Sequence, residues 1–154
     1  MTPTSGSGER GRAPRSLTFT VYGDPAPQGS KTVARTKAGG SFVRDDNPRT
    51  RPWREAVTWH AVAAKADSPL DGPLWLEVLF TFTRPKSHFR ANGDLKENAP
   101  LLCDRKFDLD KLARAICDSL TQAGAIVDDK RIAHATLRKV WGESASATVS
   151  VREI

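Results

Sequence analysis

The chain has little of what would place it outside a cell or across a membrane. Its 154 residues include only 2 cysteines, Cys103 and Cys117, too few and wrongly spaced for a disulfide framework or a zinc site. No apolar run approaches the roughly 18 residues of a spanning helix. The N-terminus lacks the hydrophobic segment of a secretory signal, so the expected location is the cytoplasm. Also missing is a glycine-rich loop of phosphate-cradling spacing, which leaves an enzyme acting on free nucleotides without its usual support. His60, His88 and His134 show neither ligand spacing nor a nucleophile partner, and no chemistry is assigned to them.

What is present is an excess of positive charge. Lys and Arg number 24 against 18 Asp and Glu, a net charge of +6. Such a surface attracts polyanions, nucleic acid among them, and says nothing about fold. The length suits one domain with one core.

Residues Met1 to Ser16 are rich in Gly, Ser, Pro, Thr and Arg and read as a disordered tail, leaving 17–154 as the domain. A strand is predicted where Leu17, Phe19 and Val21 alternate with polar residues. The turn-forming run Gly23 to Gly29 ends it, and a hairpin is predicted from Lys31 to Val43 around Ala38-Gly39-Gly40. Pro52 opens a helix to about Ala66, with Trp53, Val57, Ala61 and Ala64 at helical spacing. The clearest strand alternates Leu74, Leu76, Val78, Phe80 and Phe82 with outward residues. Arg84 to Lys106 has no period and is a long loop, a feature that is usually functional or disordered.

A second helix is expected from Asp110 to Ala123, with Leu112, Ala115, Ile116, Ser119 and Leu120 on one stripe and Gly124 after its end. Two closing strands follow, expected to form an antiparallel pair turning at Gly142-Glu143-Ser144. The order implies an α+β domain: two helices packed on one mixed, largely antiparallel sheet. All four tryptophans, Trp53, Trp59, Trp75 and Trp141, are expected in the core.

The chemistry lies in Phe107-Asp108-Leu109-Asp110-Lys111 and Asp128-Asp129. In extended backbone, residues two apart point the same way, so Asp108 and Asp110 can converge on one ion. Magnesium takes oxygen ligands, commonly one or two carboxylates with waters and substrate phosphate. The competing reading is that aspartates at a helix N-terminus cap free N–H groups. Asp128-Asp129 has two readings as well, a solvated turn or a pair neutralised by a cation. Arg114 and Asp118 continue a polar line from Asp110 at four-residue spacing, so Arg114 either meets a phosphate or pairs with Asp118. Lys111 and Lys139 can each contact phosphate or simply face solvent.

Asp108-Leu109-Asp110, Leu112, Arg114, Asp118, Leu120, Ala123-Gly124, Asp128-Asp129 and Lys139 together resemble the RusA family of Holliday junction resolvases. Pro25-Ala26-Pro27-Gln28-Gly29-Ser30-Lys31 and Pro52-Trp53-Arg54 resemble its phage and prophage branch. The resemblance spans Leu17 to Ile154 and implies a homodimer that cuts four-way DNA junctions symmetrically with Mg²⁺, Mn²⁺ being a possible substitute. It implies catalytic, metal-holding roles for Asp108, Asp110 and Asp129, with Asp129 at the entrance of the second helix. Arg114 stands where the family often has lysine, and Lys111 where it often has asparagine. Arginine keeps the charge but does not titrate, which favours phosphate binding over proton transfer. DNA contacts are expected from Lys31, Arg35, Lys37, Arg54, Lys86, Arg90, Lys111 and Lys139. The alternative function is a junction- or duplex-binding protein without catalysis.

Overall fold

The computed structural model describes residues 12–29, 31–45 and 47–154, with backbone alone at 31, 32 and 43–45. Most of the expected tail, Met1 to Ser16, lies outside these residues. Six strands and two α-helices follow in the order β1 (Ser16–Tyr22), β2 (Lys31–Arg35), β3 (Ser41–Asp45), α1 (Thr50–Ala64), β4 (Leu74–Thr83), α2 (Leu109–Gln122), β5 (Ile132–Gly142) and β6 (Ser146–Glu153). They form a four-stranded mixed sheet of order β1-β6-β4-β5 and a separate hairpin, β2-β3. The fold is therefore α+β, with both helices on one face of the main sheet.

Alternation decides the inner face. Leu17, Phe19 and Val21 of β1 pair with Val151, Val149 and Ala147 of β6. Leu76, Val78 and Phe80 of β4 lie opposite the same three residues from the other side. Onto this apolar surface α1 presents Trp53, Val57 and Ala61, and α2 presents Leu112, Ile116 and Leu120, all within one core. Burying a side chain of that size contributes about 1.5–3 kcal/mol. Pro52 sits in the first turn of α1, where a missing N–H costs nothing. The end of α2 is a Schellman motif: Gly124 has φ +70, its N–H donates to Thr121 O, and Ala125 N–H donates to Leu120 O.

Two expectations need correction. The pattern predicts β5 and β6 as paired neighbours, but β4 lies between them, parallel to β5 and antiparallel to β6. Alternation marks which side chains face inward and not which strand supplies the hydrogen bonds. An apolar ten-residue strand such as β4 is suited to the interior of a sheet, with a partner on each side. The link from Gly142 to Ser146 steps over the end of β4, where a Cβ on Gly142 would lie 2.6 Å from Thr81 Cγ2. The second correction concerns tryptophan. Trp53 and Trp141 are buried, but Trp59 is 70% exposed, because six residues of helix carry it away from the face of Trp53. Trp75 lies on the outer face of the sheet, stacked on His134 at 4.5 Å with the Arg152 guanidinium 3.7 Å from its ring centre.

Gly142→Ala is expected to cost about 1–3 kcal/mol through overpacking. Adding Thr81→Ala should recover most of that loss in urea unfolding; a single Gly142→Ala variant of wild-type stability would show that the crossing is loose.

Candidate active site

Helix α2 carries the acidic segment on its first turn. Asp108 stands at the N-cap position with extended φ and ψ, yet its side chain accepts no capping hydrogen bond. Its carboxylate is instead 71% exposed and lies 3.7 Å from Lys111 Nζ. The capping reading therefore does not describe Asp108. Asp110 is exposed in the first turn and, among the described residues, makes no ion pair or side-chain hydrogen bond. Arg114 is exposed one turn later and pairs with no described acid, Asp118 included.

The later pair divides its work. Asp128 is the true cap: its Oδ1 accepts from Lys130 N–H at 2.9 Å, opening the short 3₁₀ turn Asp129–Arg131. That backbone N–H is the main reason its carboxyl is held below the ordinary aspartate value. Asp129 is pushed the other way, first by desolvation, then by its hydrogen bond to Asp128 and the charges of Asp128 and Asp118. The Cys117 thiol, raised to about 11 by burial and then by Asp129 and Asp118, belongs to the same neighbourhood. Sequence reading gave Cys117 no role and Asp118 only that of a partner for Arg114; the four-residue steps from Asp110 and Arg114 were the available signal.

The structure thus brings Asp129 to Asp118, and Asp108 to Lys111. Asp118 lies eight residues beyond Asp110, about 12 Å along the helix axis. Among the described residues no three or more His, Cys, Asp and Glu are gathered as a metal-holding group. Asp129 faces the part of α2 that carries Cys117 and Asp118. Asp110, Arg114, Asp118 and Asp129 nevertheless border one side of the helix, since four-residue steps drift only slightly around it.

The run Pro25 to Gln28 explains why the N-terminal motif belongs here. These residues are buried, and Gln28 N–H donates to Lys111 O at 2.9 Å. Arg54 Nη1 donates to Gln28 Oε1 at 3.2 Å, and Thr50 Oγ1 donates to Pro27 O at 2.7 Å. The two motifs are thereby stitched across the start of both helices. Sequence reading assigned Gln28 no role, because an interior hydrogen bond leaves no periodic trace. Beside this strap an open cleft of about 470 Å³ is lined by Gly29, Asn47, Lys106, Phe107, Asp108 and Lys111. The feet of the β2-β3 hairpin, Gly29 and Asn47, are thus walls of the cleft that holds Asp108.

The other expected DNA contacts are distributed unevenly. Arg35 and Lys37 are exposed on the hairpin, and Lys86 and Arg90 on the long loop, where Arg90 is 3.8 Å from Glu97. Arg54 is half-buried on Gln28, and the side chain of Lys31 lies outside the described residues. Lys139 Nζ points inward, donating to Arg105 O at 2.9 Å and Phe107 O at 2.8 Å.

The raised Asp129 carboxyl has a stability consequence. Ionising a group whose folded pKa lies above its unfolded value costs the fold, so stability falls as pH rises from the ordinary aspartate range to the raised value. In EDTA at pH 7, Asp129→Asn should raise the melting temperature by about 1–2 °C, the scale of an exposed charge pair in a chain of this size. The gain should vanish near pH 3, and a variant less stable at pH 7 would refute the assignment.

A sequence comparison with curated proteins gives no match. The family model described as Endodeoxyribonuclease RusA matches residues 23–152, from the end of β1 to nearly the end of β6, and so takes in both helices, Asp108, Asp110, Asp118, Asp128, Asp129 and the Gln28 strap. The chain belongs to the RusA endodeoxyribonuclease family.

Proposed function

We propose that the protein resolves four-way DNA junctions by paired symmetric nicks, as a homodimer dependent on a divalent cation. The observation that carries the proposal is the uncommitted carboxylate of Asp110 beside Asp108 at the start of a helix that also meets Asp129, in a chain of this endonuclease family. The donors fit a hard cation: Asp108, Asp110 and Asp129 offer exposed carboxylate oxygens, and the charges of Asp128 and Asp118 disfavour an unneutralised Asp129. Asp108, Asp110 and Asp129 would hold it. Magnesium, or manganese in its place, supplies when bound an acidified water and charge neutralisation at the phosphate.

The chain's own groups supply orientation and grip. Arg114, exposed and unpaired among the described residues, presents a permanently charged fork to phosphate oxygens. Lys111 and Lys106 line the cleft with Asp108, and Arg35 and Lys37 on the hairpin and Lys86 and Arg90 on the loop offer further exposed positive charge to a phosphate backbone. Phosphate contacts carry little sequence information, so the preference for a branched substrate comes from the spacing of two such surfaces in a dimer. No helix among the described residues is long and apolar enough to cross a membrane.

A labelled four-way junction, a linear duplex and a free nucleotide, incubated with Mg²⁺ or EDTA, separate this reading from its rivals. The expected result is paired nicks in the junction that disappear in EDTA and fall at least about 100-fold in Asp110→Asn. Tight junction binding with no cleavage by the wild-type chain would replace the nuclease with a binding protein. Arg35→Ala with Lys37→Ala should lower the slope of log K against log salt by about 1–2.

A further inference from the structure

Lys139 occupies a position that the strand pattern reserves for an apolar side chain. In β5 it lies opposite Phe80 of β4, on the helix-facing side, with Leu137 and Trp141 two residues before and after it. Phe80 is fully buried and Trp141 is 5% exposed. An ammonium entering such surroundings must find acceptors. Among the described residues it finds no carboxylate; both of its hydrogen bonds go to main-chain carbonyls, Arg105 O and Phe107 O.

Those two carbonyls bracket Lys106, whose φ of +71 is the only left-handed backbone of a non-glycine residue among those described. A residue held in that region persists when its surroundings over-determine it. The same turn is tied to β5 a second way, through Cys103 N–H to Lys139 O at 3.0 Å and Trp141 N–H to Leu101 O at 2.9 Å. The peptide unit that contains Phe107 O also contains the Asp108 Cα, and it is rigid and planar. Fixing that oxygen therefore fixes the direction in which Asp108 leaves the turn.

We propose that Lys139 is a positioning residue: its ammonium grips the Arg105–Phe107 turn and so aims Asp108 into the site. It replaces the phosphate contact expected of this lysine. The effect on cleavage rests on the nuclease reading above, whereas the grip itself is tested without it.

The test compares wild type, Lys139→Met and Lys139→Arg. In hydrogen exchange without DNA, Lys139→Met should speed exchange across residues 103–109 about tenfold, leaving β4 and β6 protected. With a four-way junction and Mg²⁺, single-turnover cleavage should fall about 10- to 100-fold, the scale of a displacement near 1 Å. Junction affinity in Ca²⁺ and its salt slope should stay at wild-type values, and Lys139→Arg, which keeps donors on a long stem, should recover part of the rate. Unchanged exchange with a salt slope lowered by about one would overturn the proposal in favour of a phosphate contact. Unchanged cleavage by Lys139→Met would also overturn it. If wild type cuts no DNA, the nuclease reading fails, and the exchange result alone decides the grip. If Lys139→Met does not fold, Lys139→Gln takes its place in the same measurements.

Discussion

The axis of α2 is the reference from which Asp108, Asp110 and Asp118 are set, and it is fixed by burial of Leu112, Ile116 and Leu120 in the core shared with α1 and the sheet. Those three residues lie on one stripe, so the opposite side of the helix is left for Asp110, Arg114 and Asp118. A helix seated this way converts a sequence interval into a distance along a surface. Its two ends are then locked by different means. At the start, the Gln28 strap crosses one flank and the Lys139 ammonium holds the preceding turn on the other. At the finish, Gly124 reverses the chain and Lys65 Nζ donates to Ala123 O at 3.0 Å.

Like charges gathered on one surface carry a cost, and the structure shows how that cost is shared. Asp128 is relieved by a backbone N–H, leaving Asp129 as the carboxyl most disfavoured in its ionised form. Asp108 is eased by Lys111 at 3.7 Å, an exposed pair of modest value. Perturbed carboxyls of this kind concentrate where proteins bind cations or perform acid–base work. The basic side chains of this region are divided between roles: Lys111 faces Asp108, Lys139 and Arg54 hold the backbone and the strap, and Arg114 remains unpaired among the described residues.

Much of this was legible because it is periodic. Both helices were read to within two residues at each end, and β4 to the residue, from apolar spacing alone. The acids were legible as residues, since Asp-Leu-Asp before a helix and a later acidic pair have few meanings. What periodicity does not encode is partnership. It placed β5 beside β6, because a strand's pattern is silent about which neighbour completes its ladder. It also leaves Lys139 between phosphate and solvent, because a half-buried ammonium on two carbonyls looks like any lysine on a strand. The path of the chain from α2 to Asp128-Asp129 is equally hidden, being set by the Schellman turn and the Leu70–Ile126 bridge.

The strand order has a bearing on how the molecule is made. Among the described residues β1 has its strand partner only in β6, and Arg15 is closed against Glu153 by a 3.2 Å ion pair. Until residues 146–153 have left the ribosome, β1 has no ladder and β4 lacks one of its two. Helix α2 and its acids are synthesised well before that, but the surface that seats them is incomplete. The acidic face therefore acquires its complete seat only once β6 has joined the sheet.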